Sequence, residues 1–172
     1  MLKDVNQPQD ILEKLNAYDQ NPKGFLLLAG KPGTGKTFAA EAIYNNHTNY
    51  RLPYFDHDKA AFISQVDLND KWLESIKKYG DASYYKEIFG NTPLLVLDDL
   101  GTKAPTDSFI DFLYSLLDTR WKKRETNGTI ITTNFSAETI HKIFGDRLLS
   151  RILSGKLIKF EGDDRRIDLN AF

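Results

Sequence analysis

The segment Gly30-Lys31-Pro32-Gly33-Thr34-Gly35-Lys36-Thr37 fits the pattern G-x-x-x-x-G-K-[ST] at every fixed position. The chemistry such residues can do is anion capture. Glycines at 30, 33 and 35 allow backbone conformations closed to other residues, so successive N–H groups can turn inward around a phosphate. A helix starting at the loop adds the positive end of its dipole. Lys36 is spaced to reach β- and γ-phosphates as a point charge, and the Thr37 hydroxyl to ligate Mg²⁺. Residues Gly30 to Thr37, with Phe38 directly after them, are therefore the candidate nucleotide-binding residues, and a nucleoside triphosphate with Mg²⁺ the expected ligand. A glycine-rich turn beside a surface lysine is the plainer reading, and both flanks speak against it.

A second pair could work with the first. Leu94-Leu95-Val96-Leu97 is an apolar run that ends in Asp98-Asp99. It reads as a buried parallel strand with two acids at its C-terminal tip, and ligands in open α/β sheets sit outside that end of the strands. Asp98 is the expected Mg²⁺ partner beside Thr37, and Asp99 is placed to polarise an attacking water as general base. Alone, two such acids could also form a strand-end turn or a helix cap.

The elements that must position these groups can be read around them. Phe25-Leu26-Leu27-Leu28-Ala29 is a buried strand before the loop, and Phe38 to Ile43 starts a helix after it. Further strands are expected at Ala61–Ser64, Thr129–Asn134 and Leu157–Phe160. Helices are expected around Ile11–Leu15, over Asp67–Tyr79 with Leu68, Trp72, Leu73 and Ile76 on one face, at Tyr84–Phe89, over Ser108–Lys123, and over Ala137–Leu153 in two pieces broken near Gly145. Asn45 to Lys59 lacks periodicity and reads as a loop. Strands alternating with helices give a three-layer α/β/α domain of the P-loop NTPase class, with a mostly parallel five-stranded sheet. Residues 1–23 form a short N-terminal segment, too few to pack a domain of their own, and 24–172 the nucleotide domain.

Composition sets bounds. The chain has 172 residues, a formal net charge of -1, 41% hydrophobic and 27% charged residues, and no cysteine. That is an ordinary globular composition, without disulfides or thiolate metal sites. A uniformly basic surface is ruled out, but a local basic groove is not. No apolar run is long enough to span a bilayer and the N-terminus lacks a signal-peptide core, so no membrane is expected and a cytoplasmic location is. His47, His57 and His141 lack metal-ligand spacing.

Three further segments carry a family resemblance: Leu97-Asp98-Asp99-Leu100-Gly101, Thr132-Thr133-Asn134-Phe135, and Gly145-Asp146-Arg147-Leu148-Leu149-Ser150-Arg151-Ile152. Together with the phosphate loop they resemble the AAA+ ATPases, and within them the DnaC/DnaI-type replicative helicase loaders and the related IstB transposition ATPases. The resemblance runs from about Gly24 to the C-terminus. It implies that Asn134 is the sensor 1 residue that holds the attacking water. It implies that Arg151 is the arginine finger delivered by a neighbouring subunit, with Arg147, one helical turn earlier, as the alternative; both could also be ordinary surface arginines. Arg166 fits a sensor 2 arginine, although Asp163-Asp164-Arg165-Arg166 equally reads as a solvated charge run. The lid is minimal or absent, as in the loaders.

The resemblance also implies partners: a replicative DNA helicase, single-stranded DNA, and further copies of the chain assembled through a shared ATP site. Lys77-Lys78-Tyr79 and Arg120-Trp121-Lys122-Lys123-Arg124 join basic and aromatic residues in a way that suits backbone contact plus stacking, or simply form the basic ends of helices. Asp67 to Phe89 falls where initiator and loader ATPases carry a helical insertion. Two rival readings stay open: an IstB-like transposition helper, and a nucleotide-gated binding module with little turnover.

Overall fold

The computed structural model describes residues 2–48, 55–56, 59–162 and 164. The parallel strands are β1 (Gly24–Gly30), β3 (Ala60–Ser64), β4 (Leu94–Leu100), β5 (Gly128–Thr133) and β6 (Lys156–Phe160), with a two-residue strand β2 (Phe55–Asp56) antiparallel to β3. Their order is β2-β3-β4-β5-β1-β6. β4 is buried almost throughout and β1 over residues 25–28, as strands covered on both faces must be, and this is why they read as continuous apolar runs. Because β1 and β4 flank β5, the phosphate loop after Gly30 and the acids at the end of β4 emerge at the same sheet edge.

Helices α1 (Gln9–Asp19) and α2 (Lys36–His47) cover one face. Their core joins Leu15, Tyr18, Ala40 and Ile43 to Leu26, Leu28, Val96 and Ile130, and it includes Leu2 and Val5 of the N-terminal segment. Helices α3 (Gln65–Tyr79), α4 (Ser83–Asn91), α5 (Asp107–Lys122) and α6 (Ala137–Ile152) supply the opposite core, built on Leu95, Leu97, Phe109, Leu113, Leu116 and Leu148. Three helices start on hydroxyl caps placed just before them: Ser64, Thr106 and Ser136 accept from the N–H of Asp67, Phe109 and Thr139.

Two expectations are corrected. Residues 45–47 do not lie in a loop but finish α2. Asn46 Nδ2 donates to Asp19 Oδ2 at 2.7 Å and His47 Nε2 lies 2.9 Å from the Asp19 carbonyl oxygen, so tertiary contacts at the end of α1 carry two polar residues that local pattern leaves out. The loop expected over 49–59 holds β2, and its residues 49–54 and 57–58, His57 among them, lie outside the described residues.

The break in α6 falls at Gly145, with φ 77° and ψ 171°. That region is essentially closed to residues with a Cβ. A Cβ at Gly145 meets no atom within 4 Å, so the requirement is purely one of backbone. Gly145→Ala is expected to lower stability by about 1–3 kcal/mol in denaturant unfolding. An unchanged midpoint would show that the kink is not needed.

Candidate functional site

The loop between β1 and α2 turns at Gly35, which caps α2 in a left-handed conformation, φ 96° and ψ 15°. The first N–H groups of a helix have no partner within it, so this turn points a cluster of donors at whatever occupies the loop. Lys36 is buried, and its Nζ donates to the Lys31 carbonyl at 2.7 Å across the loop. Thr34, fully buried, braces the loop from within: its hydroxyl donates to the same carbonyl at 2.9 Å. From outside, Gln7 Nε2 donates to the Thr34 carbonyl at 2.7 Å.

Thr37, the second residue of the helix, reaches β4. Its hydroxyl lies 3.1 and 3.3 Å from the two oxygens of Asp98. Asp98 accepts a second hydroxyl, from Thr132 on β5, at 2.6 Å. Burial pushes the Asp98 carboxyl up from its usual range and neighbouring Asp99 adds to that, while the two threonine hydroxyls act against it. A carboxylate and a hydroxyl this close, in a site that disfavours a lone negative charge, are hard oxygen donors of the kind Mg²⁺ uses with substrate phosphates. Among the described residues no group of three or more His, Cys, Asp or Glu could hold a metal by itself.

Asp99 owes its aim to an irregularity. The β4–β5 register breaks between Leu97 and Leu100, and Asp99 sits at φ 53°, the one non-glycine residue at positive φ among those described. The bulge is held by the Asp99 N–H donating to Thr132 Oγ1 at 2.9 Å, and by Thr102, whose N–H and hydroxyl donate to the Asp99 carbonyl at 3.2 and 2.7 Å. Bulges beside active sites re-aim a side chain in this way. Buried Gln65 fixes the next loop: its Oε1 accepts from Gly101 N–H at 2.6 Å and its Nε2 donates to the Lys103 carbonyl at 2.8 Å.

These groups converge on one cleft of about 350 Å³, lined by Pro32, Gly33, Gly35, Lys36, Thr37, Phe38, Asp99 and Asn134, together with Asp4 and Asn6. Gly30 and Lys31 line an adjoining recess with Asn134 and Lys159. The sequence pattern thus places its phosphate loop, Asp98, Asp99 and Asn134 together. It misses Thr132, Gln65 and the N-terminal residues Asp4, Asn6 and Gln7. Thr132 carried a signal, a hydroxyl in a buried β-branched strand two residues before Asn134. The N-terminal residues carried none.

Arg147 and Arg151 are not among the residues of this cleft. They stand on α6 and pack against Tyr114, Asp118 and Trp121 of α5. Arg147 is exposed, its guanidinium 4.6 Å from the Tyr114 ring centroid. Arg151 is held by Asp118, whose Oδ1 accepts from its Nε at 3.0 Å and its Nη2 at 2.8 Å. Arg166 lies outside the described residues.

The two basic clusters fare differently. Lys77, Lys78 and Tyr79 are exposed at the end of α3, with Tyr79 5.9 Å from exposed Tyr84. Arg120 is corrected: it is fully buried and bonded to Thr129 Oγ1 and to the carbonyls of Phe89, Thr92 and Gly128, so it belongs to the core and not to a nucleic-acid surface. His47 and His141 pair with Asp19 and Asp146.

Comparison with known proteins agrees with this architecture. None of the curated proteins matches the chain. Among solved structures, the DnaC helicase loader superposes with a TM-score of 0.72 at 23% identity, covering 92% of this chain and 95% of that one. DnaI gives 0.73 at 22%, covering 93% and 90%. The replication initiator DnaA, bound to AMPPCP and single-stranded DNA, gives 0.78 at 19%, with 95% of this chain covered but only 50% of DnaA, so the chain spans about half the length of that relative. At these identities the likeness is one of fold, the AAA+ form of the P-loop NTPase architecture. Residues 5–161 match the family described as IstB-like ATP binding protein, and the chain belongs to that family.

Proposed function

We propose that the chain is an ATP hydrolase whose site is completed by a neighbouring copy, working in DNA replication as a helicase loader on single-stranded DNA. The observation that carries this is the convergence of Lys36, Thr37, Asp99 and Asn134 on one cleft, with Asp98 bonded to Thr37 at its wall.

In this reading the triphosphate lies along residues 30–37, with the N-terminus of α2 and the Lys36 ammonium against its charge. Thr37 and Asp98 would hold Mg²⁺, which would supply charge neutralisation for the phosphates. Asn134 and Asp99 hold a water in line with the γ-phosphorus. The water oxygen bonds to phosphorus, its proton passes to the Asp99 carboxylate, and the bond from the γ-phosphorus to the bridging oxygen breaks, releasing ADP and phosphate. Arg151 of a second copy meets the charge that develops, with Arg147 as the alternative and Arg166 as a further phosphate contact.

The buried acid gives a check on the metal site. The fold favours the neutral form of Asp98, so ionisation costs stability as pH rises through its elevated pKa. Asp98→Asn is therefore expected to melt within about 1 kcal/mol of wild type, or above it, without ligand. It should lose most of the stabilisation that saturating Mg·ATP gives wild type, roughly 3 kcal/mol at a hundredfold excess over Kd. A variant that keeps this shift would remove Asp98 from the metal site.

ATP hydrolysis over a protein concentration series, with and without single-stranded DNA, tests the reading. Specific activity rising with both is expected. Activity flat in both would instead favour a self-contained nucleotide switch. Membership of the IstB-like family supports a second reading, a transposition helper on duplex DNA, and capture of a transposase in place of a replicative helicase would decide for it.

A further inference from the structure

α5 presents Tyr114, Asp118 and Trp121 at spacings of four and three residues, one stripe along the helix. Arg147 and Arg151 of α6 lie across it. The guanidinium of Arg151 is 4.5 Å from the Trp121 centroid and 5.9 Å from that of Tyr114, while Arg147 lies over Tyr114 at 4.6 Å and Arg124 over Trp121 at 4.2 Å. Cations and rings thus gather where the two helices meet, and Asp118 is the carboxylate that holds Arg151 there. Its Oδ1 takes Nε and Nη2 of Arg151, and its Oδ2 pairs with Lys122 at 2.9 Å.

The geometry points to Asp118 as the positioning residue of the arginine finger, holding one edge of the Arg151 guanidinium over Trp121 so that the other edge is presented to the phosphate of an adjacent copy. This rests on the reading of Arg151 as a finger acting between copies. An arginine has five N–H donors in a fixed plane, and Asp118 engages only two of them. The remaining three make no hydrogen bond among the described residues. A guanidinium anchored on one edge loses less rotamer freedom when it meets a phosphate than one on a loose stem. The anchor favours its charged form: its hydrogen bonds to Lys122 and Arg151 hold the Asp118 carboxyl below the usual range. Trp121 and Tyr114 restrict the plane without competing for the donors.

The test uses mixed full-length chains. Arg151→Ala supplies ATP sites that lack a finger, and Asp99→Asn supplies fingers on chains that bind ATP without turnover. Their mixture should hydrolyse ATP. Adding Asp118→Ala to the Asp99→Asn chain should lower the kcat of the mixture by about 10–100-fold with KM for ATP unchanged, the scale on which a misplaced group costs rate. Adding Asp118→Ala to the Arg151→Ala chain should leave it unchanged, and Asp118→Glu on the finger-supplying chain should recover part of the loss. Equal loss whichever chain carries Asp118→Ala would mark a merely structural role and overturn the proposal. Full rescue by the Asp99→Asn/Asp118→Ala chain would overturn it while leaving the finger in place. No hydrolysis even with the simple Asp99→Asn partner would remove the shared site itself, and the proposal with it.

Discussion

Arg151→Ala is expected to lower kcat by about a thousandfold or more, the range over which an arginine finger acts in phosphoryl transfer, while ATP binding to the same chain stays near wild type. The two halves of this expectation have separate causes. Arg151 is not part of the cleft of its own chain, so its loss removes nothing that the bound nucleotide touches there. It contacts Asp118, Trp121 and Tyr114 on α5 instead. Equilibrium binding of a fluorescent ATP analogue and steady-state turnover, measured on one preparation, separate the two halves. Arg147→Ala serves as the internal comparison. Arg147 lies over Tyr114 but has no carboxylate partner among the described residues, so its removal should cost far less. If the two effects came out reversed, Arg147 would be the finger. If neither variant changed turnover, hydrolysis would be complete within one chain.

The second large effect is on folding. Arg120→Leu is expected to cost about 3–5 kcal/mol, because it removes the donor group from a buried polar network and leaves acceptors unpaired. The guanidinium is fully buried and faces neutral acceptors: Thr129 Oγ1 at 2.7 Å, the Phe89 carbonyl at 2.6 Å, the Thr92 carbonyl at 2.9 Å and the Gly128 carbonyl. These come from the end of α4 with its cap Thr92 and from the start of β5, so one side chain of α5 ties two separate stretches of chain. Burial pushes its pKa down to about 10, still cationic at neutral pH. A leucine fills part of the volume and satisfies none of the carbonyls. For a chain of this size the loss corresponds to a Tm lower by roughly 10 °C or more. A Tm within a degree or two of wild type would mean that water replaces the guanidinium.

The contrast between Arg120 and Arg124 shows where the sequence stops being informative. Both stand in one basic run, and nothing local separates them. Only the packing of α5 on α4 and β5 buries the first, while the second stacks on Trp121 at the surface. The phosphate loop and the acidic strand were legible because their requirements are local: glycines at fixed spacing, and an apolar run with acids at its tip. Strand and helix positions follow from the same local periodicity, including the break at Gly145. The positive φ of Asp99 was not legible, since it arises from a register shift against β5, and neither was the hydroxyl pair that Thr37 and Thr132 form around Asp98. Gln7, Asp4 and Asn6 join the site through the docking of the N-terminal segment on α2, a contact between residues some thirty positions apart. Long-range pairing decides such features, and the pattern of one chain does not encode them at short range.

Single-turnover hydrolysis of Mg·ATP by Asp99→Asn, with nucleotide binding measured alongside, bears most directly on the catalytic cleft. Asparagine tolerates the left-handed conformation at this position, so the bulge survives and only the base is lost. The expected result is wild-type affinity with the hydrolysis rate reduced by about 10²–10⁴-fold. Hydrolysis at the wild-type rate with affinity intact would contradict the assignment of Asp99 and, with it, the account of how this cleft turns over ATP.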